Sequence, residues 1–464
     1  MSIVDGRADG MEVKTMIPKG LGIVDRHGIR AAVWRMFRRR EPPKGIGLLH
    51  AVRRWVHRAG KVWPWPSPSA WRLKRALQGA DEVDIVLSHG WGGGAESYLA
   101  QKIRQAPRNR AVFVAQPSSA GGGGIDGALH FQGKTVRFIA GGLAVFNGLA
   151  GRKCRIVLNE LARWPRIGAP VGNPTAEWLA DNILELKRRV GGEMVYLLHD
   201  YYCICPKVAL VAPDGFYCRS EASMARCEEC LKTSGMLELE EGGIDIARWR
   251  REFGRLLSGC ERVIAFSEDT KTRMERCMGG LRLEVIPHEL PTAVRPCGAV
   301  KGEPPTIGVF GFLQPMKGLW LVKELAEHLL ALGEHTVRIK IVGTVPDHVD
   351  MPGNVDILGR YEIEKLPSIC ADAGINVAFF PSVCPETFSF ATKEIIGLGL
   401  PVACFDLGAQ RDQVKVYPNG AIIPQMTAKS AWETILRLHA RVYGHGPGGE
   451  DDLPGAVFPE ADVS

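Results

Sequence analysis

Two glutamates with seven residues between them, Glu386 and Glu394, stand in the run Pro385-Glu386-Thr387-Phe388-Ser389-Phe390-Ala391-Thr392-Lys393-Glu394. The apolar stretch from Ile375 to Pro381 precedes them and Gly397 to Phe405 follows, which reads as strand, loop, helix, strand. Glu386 then falls in a loop beyond the carboxyl end of a strand, where open α/β sheets bind ligands, and Glu394 on the next helix. Free backbone N–H groups near Phe388, Ser389 and Phe390 could hold a diphosphate at the start of that helix. An ionised carboxylate only accepts hydrogen bonds, so each glutamate suits a hydroxyl-rich group. A nucleotide sugar carries hydroxyls on both sides of a diphosphate. Upstream, Gly311-Phe312-Leu313-Gln314-Pro315-Met316-Lys317-Gly318 follows another apolar strand. Gly311 lets backbone approach a ligand, and Lys317 supplies a point charge for the diphosphate.

The first half carries a second set. Gly92-Gly93-Gly94 turns a strand into a helix, with Gly93 and Gly94 the positions that suit a close phosphate or sugar. His199-Asp200 ends another strand, which puts His199 at a sheet edge. Cys203, Cys205, Cys218, Cys227 and Cys230 cluster behind it. Cys227 and Cys230 form a C-x-x-C pair that Cys205 and Cys218 could complete as four thiolates around a structural zinc. Plain reduced cysteines and a disulfide are the alternatives.

The Glu386–Glu394 spacing resembles the E-x7-E signature of retaining glycosyltransferases of family 4. The upstream Gly311…Lys317-Gly318 turn and the downstream Gly399-Leu400-Pro401-Val402 strand add to the resemblance, which extends over residues 84 to 425. It implies the GT-B fold, with two Rossmann-like doubly wound domains facing a cleft. It further implies that Glu386 holds the sugar hydroxyls, Glu394 the ribose and Lys317 the diphosphate charge, with His199 near the reacting centre. The resemblance also implies that the leaving diphosphate deprotonates the acceptor on the same face, with no catalytic cofactor required. The chain departs from the family at Phe312, where an Arg usually follows the glycine, and at His288-Glu289, where Asn-Gly is usual. The Pro385–Ser389 loop is similar to that of members building bacterial surface polysaccharide such as O-antigen. The expected activity is transfer of a hexose or deoxyhexose from a nucleotide-diphosphate sugar to a glycan acceptor, lipid-linked by family habit. The competing reading is a non-catalytic GT-B-like scaffold that binds glycan or a partner, and the loss of the arginine at Phe312 favours it. A nucleic-acid binder would leave both glutamates and Lys317 without a role, so nucleic acid is not an expected partner.

With 464 residues, 45% hydrophobic and 23% charged, the chain reads as a globular protein of two domains plus extensions. The expected organisation is a basic extension over 1–80, an acceptor-side Rossmann-like domain over 81–300, a nucleotide-sugar domain over 301–443 and a disordered tail over 444–464. Net charge is +7, and the extension concentrates the arginines with tryptophan, as in Trp63-Pro64-Trp65-Pro66. Over residues 30–75 that mixture suits an anionic membrane surface, and equally an arm packed on the enzyme or disordered. No apolar run reaches a spanning length and the first residues lack a secretory pattern. With twelve cysteines, the expected place is the cytoplasm, at the inner face of its membrane.

Overall fold

The computed structural model describes residues 73, 75–90, 93–117, 125–140, 146, 149, 151–162, 164, 175–219, 223–233, 245–290, 294–298, 302 and 304–444. Almost all of the Arg/Trp-rich arm, and the tail from 445, lie outside them. The first sheet contains β1 (Glu82–Leu87), β2 (Arg110–Pro117), β3 (Ile125–Phe131), β4 (Lys134–Ala140), β5 (Lys153–Leu158), β6 (Glu193–Leu197), β7 (Arg262–Ala265) and β8 (Leu283–Val285). Their spatial order is β4-β3-β2-β1-β5-β6-β7-β8. Helices α1 (Gly94–Arg104), α2 (Thr175–Val190), α3 (Met224–Thr233), α4 (Ile246–Ser258) and α5 (Glu268–Cys277) connect them.

The second sheet contains β9 (Thr306–Phe312), β10 (Arg338–Thr344), β11 (Val355–Ile357), β12 (Val377–Phe380), β13 (Val402–Phe405) and β14 (Gly420–Ile423). The order is β11-β10-β9-β12-β13-β14, with every pair parallel. Its helices are α6 (Leu319–Ala331), α7 (Leu366–Asp372), α8 (Phe390–Gly397), α9 (Gly408–Lys415) and α10 (Ala428–Tyr443). These are the two Rossmann-like domains of the GT-B fold.

Strand side chains alternate between two cores, because both faces of a parallel sheet are covered. Ile307, Val309, Ile341, Phe379 and Phe405 join one buried cluster, while Val342, Ala378, Phe380, Val402 and Cys404 join the other. The first domain departs from the expected purely parallel sheet. β2 pairs antiparallel with β3, and β3 with β4. For β3 and β4 the reason is local: Gln132 and Gly133 both have left-handed φ, 49° and 74°, which closes a two-residue hairpin. His199-Asp200 does not end its strand as expected, since β6 stops at Leu197 and His199 lies two residues beyond it. Among the described residues, no helix is long and apolar enough to cross a membrane.

Each sheet reverses its winding once, between β1 and β5 and between β9 and β12. A crevice forms at the carboxyl ends of strands at such a reversal, because successive connections leave on opposite faces. The loops after β1, β5, β9 and β12 are therefore the ones to inspect.

Candidate active site

Gly311, the last residue but one of β9, has a left-handed φ of 100°, and an added Cβ there would meet nothing within 4 Å. Phe312 follows with 52% of its surface exposed. The chain then makes a 3-10 turn over Pro315–Lys317 and enters α6 through Gly318, at φ 84°. A Cβ on Gly318 would sit 2.1 Å from the Pro381 carbonyl oxygen, so only glycine lets this turn press against the loop after β12. The Val383 N–H donates to the Met316 carbonyl across the same contact, at 3.2 Å. That approach brings Lys317 Nζ to 2.5 Å from Glu386 Oε1. Glu386 keeps 11% of its side chain exposed and Lys317 keeps 40%. Burial works to lower the Lys317 amine, but the carboxylate beside it outweighs this and the net direction is up.

The Glu386 loop is tied on its other side as well. Its backbone N–H donates to Gln410 Oε1 at 3.1 Å, and its carbonyl accepts from the Ala409 N–H at 2.8 Å. The segment Asp406–Ala409 thus lies against the Glu386 backbone. Asp406 itself remains largely exposed.

At the head of α8, Ser389 is fully buried and caps the helix. Its Oγ accepts from the Thr392 N–H at 3.4 Å and lies 2.8 Å from Thr392 Oγ1. Ser389 therefore serves the helix, and any anion here would meet the remaining N–H groups of the first turn. Glu394, five residues on, is buried, and its Oε2 accepts from the Tyr361 hydroxyl at 2.9 Å. Burial pushes the Glu394 carboxyl up, only partly opposed by Tyr361. The two glutamates therefore occupy separate settings, one paired with Lys317 and one with Tyr361. Tyr361 stands in no motif of the sequence, and it is the contact to Glu394 that singles it out.

In the first domain Gly93, at φ 87°, starts α1 without a side-chain cap. A Cβ on Gly94 would lie 2.6 Å from the Phe390 ring. The glycine turn of one domain thus faces the head of α8 in the other. His199 is held across the same gap, where the Thr387 hydroxyl donates to its carbonyl at 2.8 Å. Its ring lies 5.1 Å from Tyr98, 4.6 Å from Phe266 and 5.2 Å from His288, and its buried Nε2 has no hydrogen-bond partner among the described residues. Burial, aided by neighbouring histidines, holds its pKa well below the usual value, so the ring is neutral at pH 7.

His288 forms the centre of this contact. It stacks on Phe266 at 3.6 Å and on Phe390 at 5.4 Å, and meets Phe388 edge-on at 4.9 Å. Phe388 and Phe390, read from sequence as part of a phosphate cradle, thus spend their rings on an aromatic contact between the domains. Lys393 Nζ donates to the His288 carbonyl at 3.0 Å. The departure from Asn-Gly at His288-Glu289 was the sequence signal for this packing.

An ionic contact ties the domains beside it. Asp269 at the start of α5 binds Arg273 and lies 3.6 Å from Arg411 on α9, while its N–H donates to Asp412 Oδ2 at 3.1 Å. On the first sheet, His89 Nε2 lies 3.0 Å from Glu160 Oε1, and the Ser88 hydroxyl donates to Glu160 Oε2 at 3.0 Å. Burial, with the Glu160 charge adding to it, pushes the nearby Asp200 carboxyl up to about 6. His89, Glu160 and Asp200 follow β1, β5 and β6 respectively, so strand order gathers them, and nothing in their spacing along the chain announces it.

Cys205, Cys218, Cys227 and Cys230 line a pocket of their own on the first domain. Among the described residues, no group of three or more His, Cys, Asp or Glu side chains stands ready to hold a metal ion.

Residues 304–441 match the family model for glycosyl transferases group 1. That match covers the second domain and not the first. The match begins just before β9 and ends within α10, so Gly311, Lys317, Glu386 and Glu394 all lie inside it. Among solved structures, the chain is similar to sucrose-phosphate synthase from Thermosynechococcus elongatus, at 12% identity and TM-score 0.48 over 79% of this chain and 92% of that one. It is also similar to the catalytic domain of starch synthase IV from Arabidopsis thaliana, bound to ADP and acarbose, at 12% identity and TM-score 0.47 over 79% and 93%. Anabaena HepE, in complex with UDP and glucose, matches at 14% identity and TM-score 0.41 over 78% and 94%. No curated protein sequence matches the chain.

Proposed function

We propose that the protein is a retaining glycosyltransferase of family 4 that moves a hexose or deoxyhexose from a nucleotide-diphosphate sugar to a glycan acceptor. The observation that carries this reading is the Lys317–Glu386 pair at the winding reversal of a group 1 domain. A fixed cation beside a hydrogen-bond-accepting carboxylate meets the two needs of a nucleotide sugar's reacting end. Lys317 stabilises the negative charge that grows on the diphosphate as the glycosidic bond breaks. Glu386, held by its backbone to Gln410 and Ala409, accepts from the sugar hydroxyls. Glu394 accepts from the ribose, with the Tyr361 hydroxyl yielding or sharing its place. His199, neutral, supports the sugar from the first domain without adding charge. The leaving diphosphate takes the acceptor's proton on the same face, so Glu386 orients and does not attack. On the acceptor side, Glu160 and Asp200 offer carboxyl groups to hydroxyls. The domain contact through His288 and Asp269 keeps water from the bound donor.

The acceptor is a lipid-linked glycan of surface polysaccharide or lipopolysaccharide biosynthesis, met at the inner face of the cytoplasmic membrane with the arm over residues 30–75 resting on the lipid. The arm's arginines and tryptophans support that part of the reading.

A thermal-shift screen of nucleoside diphosphates and nucleotide sugars tests the donor site. A ligand that binds only the folded state stabilises it by about 2.7 kcal/mol at a hundred times its Kd. One nucleotide class should raise the midpoint of the wild type and fail with Glu394→Ala and Lys317→Ala. No response to any nucleotide, in a folded sample, transfers the reading to a non-catalytic scaffold, which the exposed Phe312 in place of a cation favours. With the donor in hand, NMR of the product's anomeric configuration tests retention.

A further inference from the structure

The two faces of the first sheet are covered unequally. In the strand order β1 leads to β2 in one direction, while β5, β6, β7 and β8 follow one another in the other. Right-handed crossovers then place α1 on one face and α2, α4 and α5 on the opposite one. The packing agrees. Leu179, Phe253 and Met274 of those three helices share a core with Ile85, Ile156 and Tyr196. On the other face Leu99 of α1 covers Val86 and Val112. Over β6 and β7, the apolar side chains that meet Val195, Leu197, Ile264 and Phe266 from outside the sheet are Tyr98 and Phe388. Among the described residues, α1 is the one helix with side chains in these two clusters. Val157 therefore stays only partly buried, although β5 is a central strand between β1 and β6. Central parallel strands are ordinarily closed on both faces.

A cavity of about 500 Å³ lies over this open face, with Val86, Val157, Val195, Leu197 and Ile264 in its lining. Asn159 and His288 line it at the carboxyl ends of the strands, beside the cleft. Asn159 is 1% exposed, and its Nδ2 donates to Ser88 Oγ at 3.3 Å. Its Oδ1, like Nε2 of the buried His288, has no hydrogen-bond partner among the described residues. Four cations line the cavity as well. Arg110, Arg155 and Arg262 are held by Glu82, Asp84 and Glu284. Lys102 has no ion pair among the described residues, and its Nζ lies 5.3 Å from the centre of the Tyr98 ring. Glu289, exposed, is the remaining carboxylate of the lining.

The cavity thus offers an apolar floor, one unpaired cation and, next to the cleft, a buried oxygen that only accepts hydrogen bonds. Hydrocarbon, an anion and a hydroxyl satisfy them in turn. A sugar joined to a hydrocarbon chain through phosphate carries all three, in that order. We propose that this cavity binds the lipid-phosphate end of the acceptor, with hydrocarbon on the Val157 floor, phosphate at Lys102 and the first sugar's hydroxyls at Asn159 and His288. This rests on the transferase reading and its lipid-linked acceptor, and adds where the lipid lies. Asn159 directly precedes Glu160, so a sugar held there stands next to the carboxyl groups offered to acceptor hydroxyls.

The test is titration calorimetry of the full chain with decyl phosphate below its micelle concentration, beside hexyl phosphate and inorganic phosphate. Decyl phosphate should bind saturably, one per chain. Hexyl phosphate should bind about tenfold or more weakly, because fewer methylenes are buried, and inorganic phosphate should give no saturable heat. Val157→Phe puts a ring where the chain would lie and should weaken decyl phosphate by about tenfold or more. Lys102→Ala, at an exposed position, should weaken it by about threefold to tenfold. No saturable binding by the wild type overturns the proposal. Undiminished affinity in a folded Val157→Phe chain overturns it too, because the ligand then sits elsewhere. If that variant does not fold, Lys102→Ala decides, and an unchanged affinity overturns the site. If cosedimentation with phosphatidylglycerol vesicles is lost in Val157→Phe, the cavity takes a bilayer lipid and the acceptor assignment is overturned. A wild type that binds decyl phosphate but responds to no nucleotide overturns the transferase reading and leaves the cavity site standing.

Discussion

Replacing His288 with leucine removes a titrating group from the contact between the two domains, and the size of the effect can be worked out. His288 is 4% exposed, packed between Phe266 and Phe390, and its Nε2 has no hydrogen-bond partner among the described residues. Burial, with the charges of Lys102 and Lys393 adding to it, lowers its pKa to about 3. In the unfolded chain a histidine titrates near 6.5, so below that pH the unfolded state holds a proton that the folded state lacks. Stability then rises with pH across this window. It is complete above about 6.5 and lost progressively as pH falls toward 3. At pH 5.0 the unfolded state gains about 2 kcal/mol from protonating this one ring, against less than about 0.1 kcal/mol at pH 7.5. Leucine is close in volume and does not titrate. Urea denaturation of wild type and His288→Leu at both pH values, followed by tryptophan fluorescence, gives a double difference in which the other groups cancel. The variant should lose about 2 kcal/mol of the wild type's acid sensitivity, whatever its own baseline stability. An unchanged pH dependence would mean that His288 is protonated in the folded state, and the buried contact drawn from its geometry would be wrong.

Lys317→Ala strands the mostly buried Glu386 carboxylate. With Lys317 partly exposed, the stability loss should be about 1–2 kcal/mol, below that of a fully buried pair. Adding Glu386→Gln should restore most of it by calorimetry, while kcat/KM stays about 10²- to 10³-fold down in a nucleotide-release assay. Phe312→Arg, at an exposed position, should tighten nucleoside diphosphate binding by about 3- to 10-fold in titration calorimetry, the ~1 kcal/mol of a solvent-exposed charge contact. No gain would place the diphosphate away from the β9 loop. Gly318→Ala combines a left-handed backbone with a carbonyl 2.1 Å from the new Cβ. It should cost about 2–4 kcal/mol and separate Lys317 from Glu386, read as a lower thermal midpoint with lost nucleotide response.

The sequence by itself marked the strands of the second domain that carry the site, β9, β12 and β13. Its strands are short apolar runs bounded by Gly and Pro, buried on both faces, and such runs hardly depend on partners to be recognised. It also put Lys317 and Glu386 in loops at strand ends, because a loop's place at a sheet edge follows from strand order alone. The β3–β4 hairpin was not legible: its turn is Gln132-Gly133, a weaker hairpin signal than Asn-Gly. Only the tertiary structure decided which side chains meet. Lys317 pairs with Glu386 because Gly318 packs on Pro381, and Glu394 meets Tyr361 from 33 residues away. His288, His199, Phe388 and Phe390 come from both halves of the chain, and their shared burial, with the neutral histidines it enforces, exists only once the domains are in contact. Periodicity records which face of an element is buried. It does not record against what, and pairings across the cleft are therefore settled by packing.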